Sequence, residues 1–276
     1  MSRRRIILAF ISVLVAGGTL YGTAHLLAPN RPADETDEPL PIPPFPPRIA
    51  QGANYESCLS TLAADPMSAI AMAVSWQTAG GGDGAAHCRR LALIAAGKPD
   101  TGAEVLEELA ARSNAPALAR ASVLGQAAQA RLMVGQAAKA EADATAAVDL
   151  SPEDTDLLIL RATARGQLQD FSGGIADLTE AIRLDDSRVD ALVARAVMRR
   201  KQNQLDLAQD DVARAIALAP DDPDALLERG ILRQRMGDRS GARADWERAR
   251  GIDPNSTTAD LAAQNLALLD AGLARQ

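Results

Sequence analysis

The side chains able to act as nucleophiles or to ligate a metal are Cys58, Cys88, His25 and His87. This scarcity falls short of an ordinary zinc site, so neither a metal nor a cofactor is expected. His87 beside Cys88 invites a Cys–His catalytic pair. Adjacent helical positions point about 100° apart, however, so the two cannot face each other as nucleophile and base. The other imidazole, His25, lies in an apolar stretch. The run Gly80-Gly81-Gly82-Asp83-Gly84 lacks the lysine and hydroxyl of a phosphate cradle and reads as a flexible turn between helices. No catalytic constellation emerges, and the chain is expected not to be an enzyme.

Charged residues that recur at a fixed interval carry more information. Arg131, Arg165, Arg199 and Arg233 are spaced by 34, as are Asp143, Asp177, Asp211 and Asp245. A second arginine stands one helical turn earlier at Arg161, Arg195 and Arg229. One chemistry for such columns is a ladder of forked Arg–carboxylate pairs joining two helices. The other is an arginine stripe that binds an anionic ligand. An acid recurs beside each arginine, which favours the ladder. As partly exposed pairs these would contribute ~0.2–1 kcal/mol each, setting register more than stability. On that view, swapping the charges within one pair is tolerated. A net charge of −7 and only 3% aromatic residues exclude the basic, aromatic-laced surface of a nucleic-acid binder.

The same interval governs the apolar positions that must place these charges. Leu124, Leu158, Leu192 and Leu226 form one column, and Ala128, Ala162, Ala196 and Gly230 a second. Ala140, Gly174, Ala208 and Ala242 form a third, and Ala147, Ala181, Ala215 and Ala249 a fourth. Between the third and fourth stands a core position held by Ala144, Leu178, Val212 and Trp246. A closing column reads Pro152, Asp186, Pro220 and Pro254. Each unit is then two short antiparallel helices joined near Gly135, Gln169, Asn203 or Gly237. One hairpin cannot bury its apolar face alone, so neighbouring hairpins must stack.

This spacing resembles the tetratricopeptide repeat family, best in Leu226, Gly230, Gly237, Ala242, Trp246, Ala249 and Pro254. The arginine column departs from it, since the family usually carries a large aromatic there. The resemblance implies an all-α, right-handed α-solenoid of stacked helix–turn–helix repeats with a C-terminal capping helix. It also implies that a protein or peptide ligand lies in the concave groove lined by the first helices. Matched to the motif, that face comprises Gln129, Ile159, Thr163, Val193, Val197, Arg200, Leu227, Ile231 and Arg235, apolar in the middle with basic flanks. The lysine and asparagine set of the chaperone-tail clamp is missing. A bland solvated face is the alternative.

The expected organisation is an apolar N-terminal helix over 1–28, a proline-rich acidic linker over 29–52, degenerate helical repeats over 53–115, four repeats over 116–254 and a capping helix over 255–276. The cap needs a polar outer face, and Leu261, Leu266 and Leu269 are expected together on its inner side. In the degenerate part, helices are expected over 55–64, 67–79, 85–96 and 101–112. Cys58 and Cys88 would then stand on successive first helices, a geometry that permits a disulfide; two separate buried thiols are the alternative. Arg3, Arg4 and Arg5 precede the uncharged stretch 6–27, long enough at ~33 Å to cross a bilayer. Positive charge before an apolar run keeps the N-terminus inside and sends the remainder of the chain across the membrane. The expected placement is single-pass in the inner membrane with the repeats facing the periplasm. The alternative is a cleaved signal peptide and a soluble periplasmic protein. The functional expectation is an interaction scaffold of the bacterial cell envelope; a regulatory subunit of an envelope enzyme is the alternative.

Overall fold

A computed structural model describes residues 48–272. Among them lie thirteen helices and no strand. They are α1 (Ala53–Ala64), α2 (Pro66–Thr78), α3 (Gly82–Ala95), α4 (Pro99–Arg112), α5 (Ala117–Met133), α6 (Ala137–Leu150) and α7 (Thr155–Gln167). There follow α8 (Phe171–Leu184), α9 (Val189–Lys201), α10 (Leu205–Leu218), α11 (Pro223–Arg235), α12 (Arg239–Ile252) and α13 (Thr257–Asp270). The chain divides into two compact units, one ending at Gln136 and the other beginning at Ala137. In the first unit α1 pairs with α2, α3 with α4, and α5 packs on α4; α1 also touches α3. In the second, α7–α8, α9–α10 and α11–α12 are hairpins, and α9 touches α7 and α11 across successive hairpins. The fold is an α-solenoid of stacked helical hairpins.

The recurring columns are the core of the second unit. Ala162, Leu178, Ala181, Leu192, Ala196, Ala208, Ala215, Leu226, Ala242, Trp246 and Ala249 are buried to within a few per cent. Small residues let the paired helices approach, and their size answers the residue opposite. Where Trp246 enters, its partner column shrinks to Gly230, because a Cβ there would collide with the indole. The indole Nε1–H donates to the Leu227 carbonyl at 3.2 Å, so its polar edge is satisfied.

Starts and stops of the helices follow from local chemistry. Asp154, Asp170, Asp222, Asp238 and Ser256 each accept a backbone N–H of the first turn. Within the hairpins of the second unit the chain reverses through one left-handed residue, at Gln169 (φ 63°), Asn203 (φ 60°) and Gly237 (φ 90°); Gly135, after α5, has φ 76° as well. The next N–H then returns five residues, as Asp170 to the Arg165 carbonyl (2.9 Å) and Gln204 to that of Arg199 (2.8 Å).

Three expectations need correction. Residues 82–84 are helical, not turn: Trp76 lies over Gly81 and Gly84, where a Cβ would meet the ring, so the glycines serve packing. Leu261, expected on the inner side of the capping helix, is 40% exposed. The single-pass membrane placement is overturned for the residues that the structure describes. Among them no helix is long and apolar enough to cross a membrane, and the longest, α5, has 17 residues. The stretch 6–27, on which both that placement and the cleaved alternative rested, lies outside the described residues.

An L-residue in the left-handed region is disfavoured by ~1–2 kcal/mol, against a smaller backbone-entropy cost for glycine. Gln169→Gly is therefore expected to stabilise the protein by roughly 0.5–1 kcal/mol. Asn203→Gly should do less, because asparagine tolerates this backbone. Urea unfolding midpoints check both; a lowered midpoint for Gln169→Gly would contradict the assignment.

Candidate functional site

Each second helix of the three hairpins in the second unit carries one aspartate at its middle, and all three are almost fully buried. Asp177, Asp211 and Asp245 are 4%, 3% and 3% exposed. Two arginines of the facing first helix close on each. Arg161 Nε and Nη2 reach the two oxygens of Asp177 at 3.0 and 2.6 Å, and Arg165 Nη1 adds a third bond at 2.7 Å. Arg195 and Arg199 repeat this on Asp211 at 2.9, 2.6 and 2.8 Å. Arg229 and Arg233 do so on Asp245 at 2.9, 2.7 and 2.8 Å. The later arginine also donates to a carbonyl in the first turn of the second helix, that of Gly173, Leu207 or Gly241. Arg131 belongs to the first unit, where it meets Glu107 at 2.5 Å, and Asp143 is buried on α6 of the second.

The geometry is thus a clamp of two cations on one carboxylate. The aspartates are too buried for the small surface-pair energies. Swapping the charges of Arg199 and Asp211 would leave Arg195 facing a new cation, so that swap is expected to destabilise. Removing the partner of a buried ion costs several kcal/mol. Asp211→Ala, which abandons two arginines, should lower the unfolding free energy by roughly 3 kcal/mol. A urea midpoint equal to the parent's would show the clamp to be dispensable.

The clamps lock each first helix to its own second helix, and a groove opens between the neighbouring first helices α9 and α11. It has a volume of 340 Å³ and is lined by Asp190, Val193, Ala194, Val197, Asp222, Asp224, Leu227 and Glu228. Val193, Val197 and Leu227 therefore come together as its floor. Ile159 and Thr163 lie on α7, Ile231 and Arg235 further along α11, and Gln129 in the first unit, all outside this lining. Arg200 does not stand free as a basic flank. Its Nε and Nη2 bind Glu228 at 2.5 and 3.0 Å, and Glu228 is 3% exposed. Burial raises the Glu228 pKa, against the pull of Arg200. Asp190 is forked by Arg188 at 2.9 and 2.7 Å, which together with the guanidinium's charge lowers its pKa despite partial burial.

In the first unit Cys58 of α1 and Cys88 of α3 form a disulfide. His87 points away from it. The Tyr55 hydroxyl donates to His87 Nδ1 at 2.5 Å, and His87 Nε2 donates to Gln126 Oε1 at 2.7 Å, fixing the neutral tautomer. Burial pushes the imidazole down to about 4 and the phenol up to about 12. Because the folded imidazole resists a proton that the unfolded one accepts, its contribution is intact above the unfolded pKa near 6.5 and is lost as pH falls toward 4. The relay should make the protein about 2 kcal/mol less stable at pH 5 than at pH 7. His87→Gln should flatten that slope, whatever its effect on stability at pH 7. An unchanged slope would place the pH dependence elsewhere.

The sequence matches no known protein family and no curated protein. Solved structures do match. PilF of Pseudomonas aeruginosa superposes with a TM-score of 0.59 over 76% of this chain and 96% of its own, at 14% identity. TTC0263, a thermophilic tetratricopeptide protein of Thermus thermophilus, does so at 0.53 over 65% and 95%, at 19% identity. YrrB, described as a tetratricopeptide protein with an unusual peptide-binding site, does so at 0.51 over 69% and 96%, at 15% identity. The chain has the tetratricopeptide-repeat fold.

Some features of this site are not among the residues singled out from the sequence. The Tyr55–His87–Gln126 relay spans three helices and leaves no periodic trace. Glu228 breaks its own column, where Ala194 and Leu160 precede it. The acidic rim could have been found: Asp156, Asp190 and Asp224 are spaced by 34, as the ladder is.

Proposed function

We propose that this protein is a non-catalytic interaction scaffold that holds a segment of a partner protein against the first helices of its second unit. The observation that carries this reading is the groove between α9 and α11. Its floor of Val193, Val197 and Leu227 has no covering element among the described residues, while carboxylates stand around it. An apolar floor with a polar rim is the arrangement that holds an extended or helical peptide. The fold adds support, since YrrB shares it and is described as having a peptide-binding site. Disulfides persist in oxidising surroundings, so the Cys58–Cys88 bridge favours an oxidising compartment as the place of action.

A photo-crosslinking residue placed at Val197 in the cell tests the reading, with exposed Gln209 on α10 as control. A defined adduct is expected from Val197 alone. It should vanish when Val193→Asp is added, and the captured protein should bind the purified chain. Equal adducts from Gln209, or none from Val197, would refute the scaffold role of this groove.

A further inference from the structure

The charge of the groove limits what can occupy it. Of the eight lining residues four are acids and none is a base. Three cations act on Glu228 from the ends of α9 and α11: Arg200, which it holds through both Nε and Nη2, and Arg235 and Lys201, which act through charge and do not line the groove. Arg188 likewise covers Asp190. Asp222 and Asp224 are left with no ion-pair partner among the described residues. Asp222 Oδ1 accepts the Ala225 N–H at 2.7 Å, and Asp224 Oδ1 accepts the Thr258 hydroxyl at 2.5 Å. In each the second oxygen has no hydrogen-bond donor among the described residues.

We propose that the groove between α9 and α11 takes a protein segment presenting an aliphatic side chain next to a lysine or arginine. The proposal rests on the scaffold reading of this groove and names the class of its partner. The aliphatic group would lie on Val193, Val197 and Leu227. The neighbouring cation, its methylene stem along the same floor, would set its head between Asp222 and Asp224. An acidic segment would bring its carboxylates against two uncompensated ones and find no free cation in the lining. The same sign of charge disfavours nucleic acid.

Two short synthetic peptides test this by fluorescence anisotropy with the full chain in non-reducing buffer. One alternates leucine and lysine; the other replaces lysine by glutamate. The lysine peptide is expected to bind, more weakly as salt rises. Asp222→Asn combined with Asp224→Asn should weaken binding roughly fivefold to tenfold and flatten the salt dependence. Asparagine caps a helix as well as aspartate does, so the double variant keeps the start of α11. The pair Asp206→Asn with Asp210→Asn, on exposed positions of α10, controls for the general negative charge and should change little.

Equal weakening by the control pair, or none by the rim pair, would overturn the proposal. If the glutamate peptide binds as tightly and Val197→Asp abolishes it, the charge inference fails while the scaffold reading stands. Binding of neither peptide overturns the charge proposal, and the scaffold reading then stands or falls with the Val197 crosslink.

Discussion

The second unit depends on one arrangement repeated three times: a buried aspartate held by two arginines a helical turn apart. A carboxylate at 3–4% exposure tolerates neither an unpaired oxygen nor a sliding partner. Oδ1 receives one bond, and Oδ2 receives two, from the earlier arginine's Nε and the later arginine's Nη1. A shift of either helix by one residue would rotate the arginines away and strand the charge. The clamp therefore fixes the register of each hairpin, and through it the spacing of the first helices that line the groove. Its geometry varies by at most 0.1 Å between hairpins, whatever the core residue beside it. The local surroundings vary more. Arg165 Nε finds Glu141, but Arg199 Nε is buried without a partner among the described residues, because Ile175 and Gln204 stand where a carboxylate could have been.

Apolar packing adapts around this fixed frame. The core position on the second helices grows from Leu178 and Val212 to Trp246, and the facing column answers with Ala162, Ala196 and Gly230. From Ala196 to Gly230 the facing position gives up a methyl, which offsets part of the volume that Trp246 adds. Compensation of this kind lets cores accept large substitutions at small cost. It also explains why the last repeat resembles the tetratricopeptide pattern best: Trp246 needs the glycine, and the glycine is useful only beside a bulky partner.

What could be read from the sequence, and what could not, divides along periodicity. The thirty-four-residue columns placed the hairpins, their turns and both charged partners of the clamp, because each demand recurs whenever a hairpin stacks. The acids' burial was not legible, since Asp177 and an exposed aspartate are the same letter; only the second arginine column hinted that one cation was not enough. The glycine run misled for a similar reason. Composition marks Gly81 and Gly84 as turn residues, whereas Trp76 makes them packing residues. In the groove, the hydrophobic floor followed from register, but its charge did not. Arg200 reads as a basic flank until Glu228, twenty-eight positions on, is seen to hold it.

The sign of that groove is a consequence of helix termini as much as of any partner. In stacked hairpins the first helices run the same way, so their starts share one edge and their ends the other. Acids belong at helix starts, as caps and against the positive end of the dipole, and bases belong at the ends. The second unit obeys this: Asp154, Asp156, Asp190, Asp222 and Asp224 stand at the starts, while Arg165, Arg199, Arg200, Lys201, Arg233 and Arg235 stand in the last turns. A scaffold built this way carries a fixed field across its groove before any ligand is considered. Burying Glu228 against Arg200 then moves the boundary of that field, neutralising one of the cations at the basic ends and leaving the acidic edge to face whatever settles there. Specificity here can thus arise from one substitution on a frame whose charges folding already required.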